Sequence, residues 1–246
     1  SVQRNVVYQD FRATFERESK SMLQHSDIVN LNPDSRLTCF PFGRFEELQP
    51  GPERPIIVGY YTKDTGYEQE AQQMIRSVHR FGFETDVVPV ATMGGWQANT
   101  RYKATFLRQM LDKHAPHPIV YLDADAEMKQ YPVLLNDMTA DVAYVQLDWA
   151  NYGKRNRAVE TLSGTLYLAN NDAARTLVDK WIEKNRHNPQ RWEQANLQDV
   201  LKELPGLHIE HLPDTYCEIF DLMKAAGLPV IVQKQASRRL KKEVDR

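Results

Sequence analysis

The sequence predicts an α/β protein: a mixed, mostly parallel sheet flanked by helices, preceded by a helical and irregular N-terminal extension. Two observations carry this. From Pro55 onward, short runs of β-branched and aromatic residues alternate with apolar residues at helical spacing, the pattern of strands joined by crossover helices. Ahead of Pro55 the chain is broken at Asn32-Pro33-Asp34-Ser35, Phe40-Pro41-Phe42-Gly43 and Gln49-Pro50-Gly51-Pro52. The expected division is therefore residues 1–54 as an extension and 55–246 as the core domain.

In the extension, Phe11, Phe15, Met22 and Leu23 share one helical face, which predicts an amphipathic helix from about Tyr8 to Gln24. Phe40, Phe42 and Phe45 are the expected anchors of the meandering stretch on the core. The core opens with a strand over Ile56–Tyr61 and a helix over Tyr67–Phe81 stopped by Gly82. A strand over Thr85–Val90, a loop at Met93–Trp96 and a helix over Ala98–His114 follow. Ile119–Leu122 is a short buried strand, Pro132–Met138 a short helix and Val142–Leu147 a strand. Asn151–Glu160 is a polar loop with Lys154, Arg155 and Arg157. A glycine-entered strand over Leu162–Leu168 leads to a helix over Asp172–His187 with Asn171 as its N-cap. The remainder reads as a helix over Arg191–Leu204, a strand over Leu207–Leu212, a short helix over Glu218–Ala226, a strand over Pro229–Val232 and a charged tail from Arg238.

The totals narrow the function. The chain has 246 residues, enough for one large α/β domain or two small ones. A net charge of −2 gives no bulk pull toward nucleic acid or membrane. Cys39 and Cys217 are far apart and form no Cys-x-x-Cys pair, which disfavours a disulfide framework or a thiolate zinc site and fits a reducing, cytoplasmic setting. No apolar run has the length of a membrane span, and the first residues lack a signal-peptide core. The chain starts at Ser1 rather than Met, which keeps an upstream segment open.

The stretch that organises the rest is Pro118-Ile119-Val120-Tyr121-Leu122-Asp123-Ala124-Asp125-Ala126. In extended backbone, residues i and i+2 point to the same side, so Asp123 and Asp125 are expected to project together from the carboxyl end of a strand. Open α/β sheets bind ligands at that end. Two carboxylates so close repel unless a cation joins them, and hard oxygen ligands favour Mg²⁺ or Mn²⁺. An Asp-x-Asp alone is also a common turn; the strand before it and the small Ala124 and Ala126 beside it favour a site.

These pieces resemble a GT-A type glycosyltransferase, a nucleotide-diphosphosugar transferase, over roughly residues 55 to 240. Val120–Asp125 is similar to the family's hydrophobic strand and Asp-x-Asp. Leu162-Ser163-Gly164-Thr165-Leu166-Tyr167-Leu168 is similar to the Ser-Gly strand of retaining members, and Trp181 matches a Trp in the helix after it. Glu193-Gln194-Ala195-Asn196-Leu197 resembles the family's Asp-Gln pair, and Leu212-Pro213-Asp214-Thr215-Tyr216 its Leu-Pro strand exit. Two departures stand out: Glu193 replaces Asp, and Val232-Gln233-Lys234-Gln235 lies where many members place a metal-binding His.

The resemblance implies a metal-dependent transferase that moves a sugar from a nucleotide donor, a UDP-sugar favoured, to an unknown acceptor hydroxyl, with retention. Asp123 and Asp125 would hold the cation, and Asp123 would also reach the donor. Tyr60, Tyr61 and Thr62 are nucleotide-binding candidates, with strand packing as the competing reading of the tyrosines. Arg101 and Lys103, read as opening a helix, are phosphate-binding candidates, with a solvated face competing for Arg101. Glu193 and Gln194 would lie beneath the sugar. Gly164 would let a ligand approach the backbone. Lys234 would contact the diphosphate, with His208 and His211 as alternative third metal ligands. Inversion would instead need a base, with Asp148 first and Asp199 second. Three rivals remain open: a sugar-phosphate nucleotidyltransferase, a metal nuclease using Glu127, and a non-catalytic nucleotide-sugar binding module.

Overall fold

The computed structural model describes residues 2–23, 28, 30, 32, 34–42, 54–136, 138–154, 156–223 and 227–245. The chain divides into two units, Ser1–Gly51 and Pro52–Arg246. In the first, a helix α1 spans Val2–Leu23, and Phe15 meets Phe40 edge-on at 6.1 Å. The four side chains expected to be buried, Phe11, Phe15, Met22 and Leu23, are all exposed, and so is Phe42; Phe40 is buried, and Phe45 lies outside the described residues. The apolar face of α1 is interrupted by ion-pairing residues such as Arg12 and Glu16, which weakens its drive toward burial.

The second unit is built on a six-stranded sheet in the order β2-β1-β3-β6-β5-β7. Its strands are β1 (Ile56–Thr62), β2 (Thr85–Val90), β3 (Ile119–Leu122), β5 (Val142–Leu147), β6 (Glu160–Leu168) and β7 (Ile209–Leu212). β1 pairs in parallel with β2 and β3, and β5 with β7. β6 alone runs antiparallel, against both β3 and β5. Pro89 sits in the edge strand β2, where its missing N–H costs no inner ladder bond.

Strand alternation sends neighbouring residues to opposite faces. Val58, Tyr60, Ile119, Tyr121, Val142 and Tyr144 pack on one side against α3 (Trp96–Lys113), α4 (Asp172–His187) and α5 (Glu193–Glu203). Ile57, Val120, Leu122, Ala143 and Val145 pack on the other against α2 (Tyr67–His79) and a small sheet. That sheet joins β4 (Ala126–Met128), β9 (Ile231–Gln233) and β8 (Glu218–Ile219) in that order. Asn171 caps α4 as expected, accepting the Ala174 N–H at 2.9 Å.

Four expectations are corrected. The helix expected over Glu218–Ala226 is instead β8 and a turn up to Met223, because Ile219 pairs with Gln233. The short helix at Pro132–Met138 is one 3₁₀ turn, Val133–Leu135. The tail folds as α6 (Ser237–Val244), with Leu240 and Val244 buried at helical spacing among its charges. α2 ends at His79, three residues before the positive-φ Gly82.

β1 and β3 approach closely at Gly59. A Cβ built there would lie 2.9 Å from the Leu122 carbonyl oxygen, a backbone atom that cannot move aside. Gly59→Ala is expected to lower stability by about 1–3 kcal/mol through overpacking, read as a lower urea midpoint with an unchanged slope.

Candidate active site

At the carboxyl end of β1 and β3 lies a cavity of about 400 Å³. Its floor is an ionic network on α3's side of the sheet. The residue parity that points Tyr121 toward α3 points Asp123 the same way, and the Tyr121 hydroxyl donates to Asp123 Oδ1 at 2.9 Å. Lys103 of α3 is 3% exposed. Its ammonium is 3.1 Å from Asp123 Oδ1 and 3.1 Å from Glu193 Oε1, and it donates to Ser163 Oγ at 3.0 Å. Burial alone would lower the Lys103 pKa; the Asp123 and Glu193 carboxylates outweigh it and hold the ammonium charged. Burial raises the Glu193 carboxyl, against the pull of Lys103, and its buried Oε2 has no partner among the described residues.

Ser163 reaches this network through an irregularity. β5–β6 pairing passes from Tyr144↔Leu166 to Val145↔Leu162, so Ser163, Gly164 and Thr165 bulge out of the ladder. The Ser163 hydroxyl lies within hydrogen-bond reach of Glu193 Oε1 (3.2 Å) and Gln194 Oε1 (3.3 Å), and its N–H donates to Gln194 at 3.1 Å. Gly164 leaves no room for a side chain: a Cβ would sit 3.0 Å from Asp123 Oδ2 and 3.1 Å from Gln233 Cδ. Trp181 fastens the start of α5 from below by donating to the Glu193 carbonyl at 2.8 Å.

Asp123 and Asp125 both line the cavity, but not by simple extension. β3 ends at Leu122, and the chain turns at Ala124 and Asp125 with Ala126 N–H bonded to Asp123 O. Asp125 therefore faces another partner, the Ala236 N–H, at 2.5 Å. Burial, then the charge of Asp123, pushes the Asp125 carboxyl up from 3.8 to about 6.

The other predicted residues divide. Tyr60, Tyr61, Thr62, Lys103, Gly164, Glu193 and Gln194 line the cavity. Tyr60 is packed among Tyr102, Phe106 and Tyr121, with its hydroxyl spent on Asn99 O, and Thr62 accepts from Asn99 Nδ2. Of the two tyrosines, the half-buried Tyr61 keeps the more open ring. Arg101, Asp148 and Lys234 stand outside. α3 begins at Trp96, so Arg101 and Lys103 occupy its second turn, and Arg101 turns outward to the Pro189 carbonyl. Asp148 caps a 3₁₀ turn by accepting from Ala150 N–H. Lys234 faces α2, pairing with Glu70 at 3.2 Å and donating to Gln73, while strand alternation turns Gln233 inward. Asp199 is paired with Arg191 at 2.9 Å. His208 and His211 lie at β7, away from the cavity, and no group of three His, Cys, Asp or Glu among the described residues could hold a metal.

Several lining residues escaped sequence reasoning: Tyr67, Trp96, Asn99, Trp149, Trp192 and Gln233. A signal existed for Trp96 and Trp192, aromatic residues at helix starts beside the motifs. No linear signal ties Gln233 to Gly164, whose carbonyl it reaches at 3.0 Å across 69 residues.

The nucleotide-diphospho-sugar transferase family matches residues 71–243. No curated protein gives a match. Among solved structures, a glycosyltransferase involved in glycosylation of the major capsid of PBCV-1 is similar with TM-score 0.56 and 13% identity, covering 79% of this chain and 97% of that one. Apo GlyE of Streptococcus pneumoniae TIGR4 is similar with TM-score 0.53 and 15% identity, covering 73% of this chain and 54% of GlyE. These similarities concern the fold.

Two experiments follow from this geometry. Because its folded pKa is raised, Asp125 contributes stability fully below about pH 4 and loses it as pH rises through about 6. Asp125→Asn keeps the acceptor for Ala236 N–H and is expected to raise the urea midpoint of cation-free protein at pH 7.5 but not at pH 4. Asp148→Ala is expected to cost about 0.5–2 kcal/mol from the lost cap, measured by the same titration.

Proposed function

The chain belongs to the nucleotide-diphospho-sugar transferase family, and from that premise we propose that it transfers a sugar, with retention, from a nucleoside-diphosphate donor to an acceptor hydroxyl with the help of a divalent cation. The observation that carries the metal dependence is the charge balance of the cavity floor. Among the described lining residues, the carboxylates Asp123, Asp125, Glu193 and Glu160 are set against two cations: Lys103, 3.1 Å from Asp123 and from Glu193, and Arg157, paired with Glu160 at 3.0 Å. A diphosphate entering such a site needs added positive charge.

The residues fit a Mg²⁺- or Mn²⁺-type ion. Asp123 Oδ2 faces the backbone of Gly164 rather than Lys103, and the raised pKa of Asp125 marks a carboxylate that a cation would relieve. Two carboxylates completed by donor phosphates suit such ions, which rarely take an all-protein cage. When bound, the cation neutralises charge developing on the leaving diphosphate. A UDP-sugar is the favoured donor. In this reading Tyr61 would stack on its base and Asp123 would reach its ribose. Glu193 and Gln194, held by Lys103 and Ser163 and lining the cavity, would lie beneath the transferred sugar in this reading.

In the reaction, the bond from the sugar's anomeric carbon to the phosphate oxygen breaks and a bond to the acceptor oxygen forms on the same face. The acceptor proton passes to the departing phosphate oxygen. Retention is supported by how the candidate bases are engaged among the described residues: Asp148 is a cap, Asp199 and Glu160 are ion-paired, and Glu193 shares one oxygen with Lys103.

The test is hydrolysis of a panel of UDP- and GDP-sugars with Mn²⁺. We expect at least one donor to be consumed, chelation to stop it, and Asp123→Ala to slow it on the order of 10²–10³-fold with an unchanged fold by circular dichroism. Donor binding without turnover would leave a binding module. An undiminished rate in Asp123→Ala would remove the aspartate from the chemistry.

A further inference from the structure

The cavity rim holds a half-exposed aromatic side chain outside both core clusters. Trp192 is 45% exposed, whereas its neighbour Glu193 is 2% exposed on the cavity floor. Its ring belongs to neither core cluster, although both residues line the same cavity. A single exposed apolar residue elsewhere would mean little. Here the position is fixed: Trp192 is the N-cap residue of α5, and its carbonyl accepts from Ala195 and Asn196 N–H, so the indole is set at the rim by the same helix start that sets Glu193.

Sheet order says which side of the site this is. The strand whose exit carries Tyr61, β1, flanks β3 on one side, and β6 flanks it on the other. Arg157, Glu160, Leu162 and Ser163 line the cavity on the β6 side together with Trp192. Among the described residues the rim there carries no disengaged cation: Arg157 is paired with Glu160 and lies 4.0 Å from the Trp149 ring centroid, and Lys154 stacks on the same ring at 4.6 Å. These two cations are engaged within the protein, and the Glu160 carboxylate opposes a phosphate.

We propose that the β6-side rim is the acceptor subsite and takes a neutral, unphosphorylated sugar residue whose C–H face stacks on Trp192, its hydroxyls meeting the Arg157–Glu160 pair. A pyranose ring offers an apolar face bounded by hydroxyls, which suits a flat indole beside a polar pair. This names the acceptor class for the transferase read above and rests on that reading. A nucleic-acid or sugar-phosphate acceptor is the competing outcome.

The experiment uses the full chain with UDP and Mn²⁺. Saturation-transfer NMR is recorded against neutral methyl hexopyranosides and trisaccharides (maltotriose, cellotriose, xylotriose), and against glucose 6-phosphate and oligothymidylate. We expect saturation of ring C–H protons in at least one neutral sugar, an apparent affinity about tenfold weaker in Trp192→Ala, and recovery in Trp192→Phe, with thermal midpoints unchanged. Absence of any neutral-sugar signal, indifference to Trp192→Ala, or a signal confined to phosphorylated ligands overturns the proposal. Donor hydrolysis by the unmodified protein is scored separately. Its presence with a failed sugar panel sinks only the acceptor assignment, and its absence sinks the transferase reading itself.

Discussion

Lys103 Nζ stands between Asp123 Oδ1 and Glu193 Oε1, 3.1 Å from each, and the structure around the cavity depends on that buried ammonium. It joins three parts of the chain that are distant in sequence: α3, the turn after β3, and the start of α5. A lone buried charge is untenable, so each member fixes the others. Asp123 and the buried Glu193 share the Lys103 charge, and Glu193 carries one oxygen with no partner among the described residues. The triad therefore costs desolvation energy and returns geometric definition. It holds two carboxylate faces, Asp123 Oδ2 and Glu193 Oε2, that it does not itself use.

Close packing supplies the rest of that definition. Gly164 lets β6 press its backbone against Asp123 Oδ2 and Gln233, and its carbonyl takes both the Asp123 N–H at 3.1 Å and the Gln233 amide at 3.0 Å. A carbonyl only accepts, so the Gln233 nitrogen must face it and the amide oxygen must face away. The glutamine thus acts as a brace across the two sheets, in the stretch where the resemblance led us to look for a metal ligand. Its register partner Ala126 ties the same brace to the end of the aspartate turn.

The main sheet was legible in the sequence because its inner strands are buried on both faces and read as apolar runs, as at Ile119–Leu122. The antiparallel course of β6 was not, since Thr161–Leu168 is equally buried whichever way it runs. The small sheet was missed because β4 and β8 are too short for any period to show. At the site, Asp123, Asp125, Gly164, Glu193 and Gln194 were found from local pattern and resemblance, and all border the cavity. Arg101 and Lys234, also named, stand outside it: helix and strand phase decides which of two nearby residues turns inward, and here those are Lys103 and Gln233.

α6 bears on how a diphosphate is held. In many α/β nucleotide sites the phosphate rests on backbone N–H groups at a helix N-terminus. Here those positions are occupied by the protein's own carboxylates. Glu243 accepts the Gly66 N–H at the start of α2 at 2.8 Å, and Asp245 accepts the Trp96 N–H at the start of α3 at 2.8 Å. A phosphate approaching either helix start would meet negative charge before it met a dipole. The turn from Thr62 to Tyr67 gives no alternative cradle, because Thr65 Oγ1 closes it on Thr62 O at 2.7 Å. With both helix starts occupied and Lys103 held by carboxylates, the proposed reaction would leave stabilisation of a departing diphosphate to a cation at Asp123 and Asp125. This arrangement separates the chain physically from a nucleotidyltransferase that cradles a triphosphate on a glycine-rich loop.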